Sequence, residues 1–215
     1  MQKDLGNFRK SYKKSALTED SISEDPMELF QRWFYEVEGT EGVEEPNAMT
    51  VATSGLDGYP KSRVVLLKRY TYEGFIFYTN YDSEKGKAIA ADPRVCLSFF
   101  WTTLERQVII KGDAEKISGN MSDGYFESRP DGSKLGAILS DQSSVIPSRE
   151  VLEQKLLALE KKYENKEIPR PEYWGGYLVR PVSMEFWQGR PNRLHDRIRY
   201  TLMKDYQWKI ERLAP

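Results

Sequence analysis

The spacing of apolar positions along this chain changes three times. Near the start, Asp25-Pro26 precedes Leu29, Phe30, Trp33, Phe34 and Val37, an apolar stripe at helical spacing behind an N-cap and a proline at the first helical position. This predicts a packing helix. Between residues 49 and 117 the period shortens. Runs rich in β-branched and aromatic residues at 49–54, 63–69, 75–80, 95–101 and 106–117 are punctuated by turn residues such as Asp57-Gly58 and Glu73-Gly74. They predict antiparallel strands joined by hairpins, with one helix at 83–91, stopped by Asp92-Pro93, inside the meander. Residues 122–163 read as helical again: 125–128 ended by Pro130, a short segment at 133–139, and a charged amphipathic helix from Ser148. Strands return at 175–180, 183–188, 193–200 and 208–213, parted by Pro181, by residues 189–191 and by the Lys204-Asp205 turn. The fold class is mainly β with added α-helices. A closed or nearly closed antiparallel barrel is expected, because closure removes exposed sheet edges.

The 215 residues show no repeat, low-complexity tract or internal linker, which suits one domain over 21–215 behind a flexible segment at 1–20. The 32 basic and 33 acidic side chains leave a formal charge of -1, so no overall field would hold the protein to nucleic acid or an anionic membrane. Any anion it binds is expected to be small and locally captured. A single cysteine, Cys96, rules out an internal disulfide framework, suits a reducing compartment and reads as a buried structural thiol. Residues 1–14 mix Lys and Arg with Asp4 and lack the apolar core of a secretory signal. No apolar stretch approaches the roughly 18 residues needed to span a bilayer. A cytoplasmic protein is expected.

Candidate chemistry starts at Asn192-Arg193-Leu194-His195-Asp196-Arg197, which holds the only histidine of the sequence. In an extended conformation Arg193, His195 and Arg197 share one face, suited to an anion or an electron-rich ring; a charged, solvated edge strand has the same spacing. One histidine, with Cys96 as its only soft companion, does not make a metal site. In Arg63-Val64-Val65-Leu66-Leu67-Lys68 the two cations have opposite parity, so they could serve two different anions or simply snorkel from a core strand. Tyr125 and Arg129 lie four apart on a short helix, with Ser133 beyond the Pro130 break. Their donors suit a phosphate, or an ordinary capped helix end. Ser83 and Lys85 could form a second phosphate seat at a helix N-terminus, or Ser83 could be a plain N-cap. Nucleophile-elbow, Walker and dinucleotide-glycine patterns do not occur, so hydrolase and nucleotide-kinase readings are weak.

Taken in order, Arg63 to Lys68, Phe77-Tyr78-Thr79-Asn80, Thr103-Leu104-Glu105-Arg106-Gln107-Val108, Ser128-Arg129-Pro130, Gln142-Ser143-Ser144, Glu185-Phe186-Trp187-Gln188-Gly189, Arg193 to Arg197 and the terminal Glu211-Arg212-Leu213-Ala214-Pro215 resemble the pyridoxine 5′-phosphate oxidase family. The likeness runs from about residue 8 to the end. It implies an FMN-binding split β-barrel of Greek-key type, working as a homodimer with FMN at the interface. The implied activity is oxidation of pyridoxine 5′-phosphate or pyridoxamine 5′-phosphate to pyridoxal 5′-phosphate, with O2 as acceptor giving H2O2, and NH3 from the amine. A related split-barrel flavin reductase and a non-catalytic pyridoxal-phosphate carrier are the alternatives.

By the same resemblance, Arg63, Thr79, Lys85 and Ser143 would hold the FMN phosphate and ribityl chain. Val64, Val65, Leu66, Leu67, Lys68 and Tyr78 would line its path, and Gln107, Gln142, Trp187 and Arg197 would flank the rest. The substrate phosphate would fall to Lys68, Tyr125, Arg129 and Ser133. Arg193, Leu194 and His195 would meet the pyridine ring, with Arg193 and His195 catalytic, and Arg9 and Tyr12 would cover the site. One departure stands out: many members carry Arg-Lys beside the FMN phosphate, and this chain has Glu84-Lys85. Glu84 is expected to turn towards solvent.

Overall fold

The computed structural model describes residues 3–8 and 10–215. Among these, α1 (Pro26–Glu38) forms where the apolar stripe predicted it: the Asp25 carboxylate accepts the Met27 N–H, Pro26 opens the first turn, and Leu29, Phe30, Trp33, Phe34 and Val37 are buried. The strands are β1 (Ala48–Ser54), β2 (Pro60–Leu66), β3 (Arg69–Thr71), β4 (Gly74–Asn80), β5 (Arg94–Trp101), β6 (Arg106–Lys116), β7 (Trp174–Gln188), β8 (Asp196–Leu202) and β9 (Trp208–Arg212). The further helices are α2 (Glu84–Ala91), α3 (Gly119–Glu127), α4 (Asp131–Leu139) and α5 (Arg149–Tyr163). Hydrogen-bonded neighbours run β2-β1-β5-β6-β7-β4-β3, with β8 against β7 and β9 against β8. The result is a mostly antiparallel half-barrel with helices added. No described helix is long and apolar enough to cross a membrane.

The chain gathers into two compact units, one of Met1–Thr50, Cys96–Lys111 and Pro181–Pro215, the other of Val51–Val95 and Gly112–Arg180. In the first, α1 supplies an aromatic core: Phe30 lies 5.3 Å from Phe99 and 5.8 Å from Phe34, and Trp33 meets Phe186 edge-on at 5.2 Å. Each such side chain removed from water contributes on the order of 1.5–3 kcal/mol. Strand β8 pairs with β7 from Ser183↔Thr201 to Gln188↔Asp196. In the second unit β4 pairs with β7 from Phe75↔Val179 to Asn80↔Trp174, burying Phe75, Ile76 and Phe77. Cys96 is half-buried, and burial pushes its thiol pKa up.

Three expected elements differ. Pro181 does not divide two strands, because β7 runs unbroken through it. Its β4 ladder ends at Val179 and its β8 ladder begins at Ser183, so the proline sits where neither ladder needs its missing N–H. The strand expected over 63–69 breaks at Leu67 and Lys68, where the chain leaves β1 as its partner and takes up β4, with the Lys68 N–H already on the Ile76 carbonyl. The strand expected over 193–200 begins only at Asp196. Residues Pro191–Arg193 form a 3-10 turn in which Asn192 and Arg193 have φ of 57° and 61°. The period-two argument that put Arg193, His195 and Arg197 on one face therefore fails: a left-handed Arg193 is not part of the pleat.

Candidate functional site

In the second unit, three cations from separate pieces of chain line one cavity of about 300 Å³: Lys68 of the β2–β3 break, Lys85 of α2 and Arg129 beyond α3, with Arg63 of β2 near enough to Lys85 to repel it. Val64, Val65, Leu66, Tyr78, Thr79, Tyr125, Gln142 and Trp174 complete the lining, and among the described lining residues there is no carboxylate. Lys85 is buried, and its Nζ donates to Gln142 Oε1 at 2.7 Å and to Thr79 Oγ1 at 3.1 Å. Burial first, then repulsion from Arg63, holds its pKa down at about 8, against the opposing pull of Glu84. Arg63 donates through Nη1 to Thr53 Oγ1 and to the Lys61 carbonyl, both at 2.9 Å. Close approach of backbone is built in at Gly86, where a Cβ would stand 2.1 Å from the Tyr81 carbonyl oxygen. The Glu84 side chain pairs with exposed Lys61, and its N–H donates to the Ser143 hydroxyl at 3.3 Å, with Ser143 at φ 75°.

The far wall of this cavity is a stack of rings. Tyr78 lies 3.9 Å from Tyr125 at 22° and 5.5 Å from Trp174 at 14°. Gly176 leaves room for it, since a Cβ there would come within 3.0 Å of the Tyr78 ring. The Arg129 guanidinium lies 4.6 Å above Trp174, and its Nη1 is buried without a hydrogen-bond partner. Leaving a buried donor unpaired costs about 1–3 kcal/mol or more, a deficit that an oxyanion in the cavity would remove. Arg63 and Ser143 do not line this cavity, and two more of the residues expected here lie elsewhere. Leu67 is buried in the core, and Ser133 is exposed in the first turn of α4 with its N–H on the Pro130 carbonyl. Trp174 was not anticipated; only its position beside Gly175-Gly176, which admits rings close to the backbone, could have pointed to it.

In the first unit a cavity of about 760 Å³ is lined by Phe8, Lys10, Ser11, Tyr12, Trp187, Arg190, Asn192, Arg193 and His195. His195 and Trp187 have ring centroids 4.7 Å apart, and Tyr12 approaches Trp187 edge-on at 5.7 Å. The Arg190 backbone N–H donates to His195 Nδ1 at 3.1 Å, so the neutral ring carries its proton on Nε2. Burial, then the charge of Arg193, lowers the His195 pKa, while Asp196 opposes the shift. Arg193 and His195 thus share a cavity although they do not share a strand face. Arg190 is the residue that sequence reasoning missed here. Leu194 points outward, 68% exposed. Gln107 donates to Ser98 Oγ at 3.2 Å, and Arg197 is held by Glu185 and the Ala214 carbonyl, both at 2.8 Å. Arg9 lies outside the described residues.

The half-barrel is the fold of the FMN-binding split barrels. A pyridoxamine 5′-phosphate oxidase-related, FMN-binding protein from Nostoc punctiforme superposes with a TM-score of 0.70 at 15% identity, covering 90% of this chain and 100% of that one. PhzG from Burkholderia lata, solved in complex with tetrahydrophenazine-1-carboxylic acid, gives 0.85 at 29% identity over 91% of this chain and 95% of that one. The family profile described as pyridoxamine 5′-phosphate oxidase matches residues 37–163, and that of the pyridoxine 5′-phosphate oxidase C-terminal dimerisation region matches residues 174–215. The pyridoxine/pyridoxamine 5′-phosphate oxidase of Flavobacterium psychrophilum is 68% identical over 99% of this chain and 100% of its own length. That of Trichormus variabilis is 51% identical over the whole of both chains. The chain belongs to the pyridoxamine 5′-phosphate oxidase family.

Proposed function

We propose that this protein is an FMN-dependent oxidase that converts pyridoxine 5′-phosphate and pyridoxamine 5′-phosphate to pyridoxal 5′-phosphate. The observation that carries the reading is the cavity lined by Lys68, Lys85 and Arg129, with Arg63 beside Lys85 and no carboxylate among the described lining residues, where Arg129 Nη1 is buried and unpaired. Two phosphates, one of cofactor and one of substrate, account for that excess of donors. Arg63, Lys85, Thr79, Gln142 and Ser143 have the donors and the shared hydrogen bonds that fit a flavin phosphate and ribityl chain. Lys68, Tyr125 and Arg129 fit the substrate phosphate. The match to the dimerisation region supports a homodimer, with FMN at the interface completed by Trp187, Gln107 and Arg197.

When bound, FMN would supply the hydride acceptor that no side chain can be, for the 4′ carbon of the substrate, with O2 as the final acceptor giving H2O2. The protein's own work is positioning. Arg193 presents a guanidinium to the pyridine ring and its oxygen substituents. His195, with Nδ1 already accepting from Arg190, offers Nε2–H as a donor and is fixed in orientation by Trp187. It is therefore a hydrogen-bond donor to the substrate in its resting state, and not the first proton acceptor. The oxidised amine releases NH3 by hydrolysis. Balanced charge and a single cysteine suit a cytoplasmic setting.

The test is the visible spectrum of the purified, FMN-loaded protein, followed without air after adding pyridoxine 5′-phosphate. Bleaching that reverses with peroxide formation on admitting air is expected. A yellow protein that the substrate leaves unchanged would favour a reductase using another donor, and a protein that takes up no FMN would overturn the flavin reading.

A further inference from the structure

Glu105 has an unusual combination of properties for an acidic residue. It closes the β5–β6 turn at φ 57°, a left-handed conformation that costs a residue with a Cβ about 1–2 kcal/mol and that glycine adopts freely. It is also 2% exposed. Its carboxylate is used at long range in sequence: Oε2 accepts the backbone N–H groups of Lys13 at 2.8 Å and Lys14 at 3.1 Å, and Oε1 lies 3.6 Å from Lys10 Nζ. Its carbonyl accepts from Gly189 N–H at 2.8 Å and from Gln188 Nε2 at 3.2 Å. The Tyr12 ring then rests on Gly189, where a Cβ would come within 2.7 Å of it, and meets both Trp187 and His195.

We propose that Glu105 is a positioning residue, which fixes segment 10–14 as a wall of the Arg193 and His195 cavity and so sets Tyr12 against the substrate. The inference rests on the oxidase reading. One side chain anchors the segment, and the same residue's carbonyl anchors the chain that leads into His195, so wall and loop share a support. Residues 15–17 have separate ties, from Arg190 to the Ser15 carbonyl, from Arg212 to the Leu17 carbonyl and from Leu17 N–H to Asp196. Loss of Glu105 therefore frees 10–14 without detaching the rest.

The experiment uses the full FMN-loaded chain and three variants: Glu105→Gly, which removes the side chain but suits the positive φ and so keeps the turn; Glu105→Gln, which keeps an oxygen for both N–H groups; and Tyr12→Ala. Trypsin cleavage after Lys10, Lys13 and Lys14 is read by mass. Glu105→Gly is expected to speed it about tenfold, as loss of the charge-assisted bonds to backbone requires, and Glu105→Gln, whose oxygen can still accept from both N–H groups, to speed it much less. KM for pyridoxine 5′-phosphate is expected to rise about tenfold in Glu105→Gly with kcat and FMN content little changed, and the Tyr12→Ala/Glu105→Gly double variant should be no worse than Tyr12→Ala alone. Unchanged cleavage, or losses that multiply in the double variant, would overturn the proposal. If the wild type proves inactive the oxidase reading fails, and the cleavage rates alone then decide whether Glu105 holds the segment.

Discussion

The Arg129 guanidinium lies 4.6 Å above the Trp174 ring, and its Nη1 has no partner. The ring covers one face of a half-buried cation and leaves the edge with Nη1 unpaired, which presents a planar fork to an incoming oxyanion. Trp174→Leu should therefore raise KM for pyridoxine 5′-phosphate by about 2- to 30-fold, the range that a cation–π contact of about 0.5–2 kcal/mol allows. Arg129→Ala should raise it further. Neither change should alter whatever turnover is measured with pyridoxine itself, which lacks the phosphate; equal losses on both substrates would mean that the pair supports the fold and not the phosphate.

Lys85 makes a prediction about pH. Its pKa stands at about 8, below the value of 10.5 expected for a free lysine, because it is buried beside Arg63. A phosphate dianion bound there would restore the charged form, so FMN affinity should fall as pH rises through about 8. In the FMN-free protein the sign is opposite. The unfolded chain binds more protons than the folded one between about 8 and 10.5, so this group makes the folded state more stable as pH rises across that window. Fluorescence titration of FMN and thermal melts of the FMN-free protein, each from pH 7 to 10, check both signs; Lys85→Met should flatten both curves.

How far the sequence discloses this site depends on the kind of information each residue carries. Helix α1 was legible because Asp25, Pro26 and the stripe from Leu29 to Val37 agree on one answer at every level. The cations of the second unit were legible as residue types, and the parity of Arg63 and Lys68 already allowed two anions. Their convergence was not, because Lys85, Arg129 and Gln142 are brought together by pairing between β4 and β7, which no local pattern encodes. The extended reading of residues 193–200 fails at its start because the charge alternation there mimics strand period, while Pro191 and Asn192 carry turn signals and the chain turns through Pro191–Arg193. Glu105 was hidden for a similar reason: nothing in Leu104-Glu105-Arg106 announces a positive φ.

His195 should set an acid limb. Burial and Arg193 hold its pKa below 6.5, so it is neutral near pH 7 and gains a proton only as pH falls below that value. Protonation puts a hydrogen on Nδ1 and breaks the bond from the Arg190 N–H. The orientation of the ring, and the stability this bond contributes, are thus complete above pH 6.5 and lost as pH falls. A profile of kcat from pH 5 to 8 should show the decline, and His195→Asn should lower kcat but remove that limb. The substrate phosphate also titrates near pH of about 6, so a limb that survives unchanged in His195→Asn belongs to the phosphate.

Arg193 offers the sharpest separation of chemistry from binding. It sits at φ 61°, so replacing it by alanine removes the guanidinium but leaves the backbone in a conformation that a Cβ disfavours, whereas glycine removes both the side chain and the strain. Arg193→Ala should reduce kcat by about 100-fold or more, the scale of losing a charged positioning group, while FMN content per protein stays near that of the wild type. Arg193→Gly should match that loss and be the more stable of the two in a thermal melt. If glycine instead restored turnover, the residue would matter for the turn at Pro191–Arg193 and not for its charge. If both variants lost FMN in step with activity, the guanidinium would belong to the cofactor's site, and His195 would be left as the one side chain of the pair that faces the substrate.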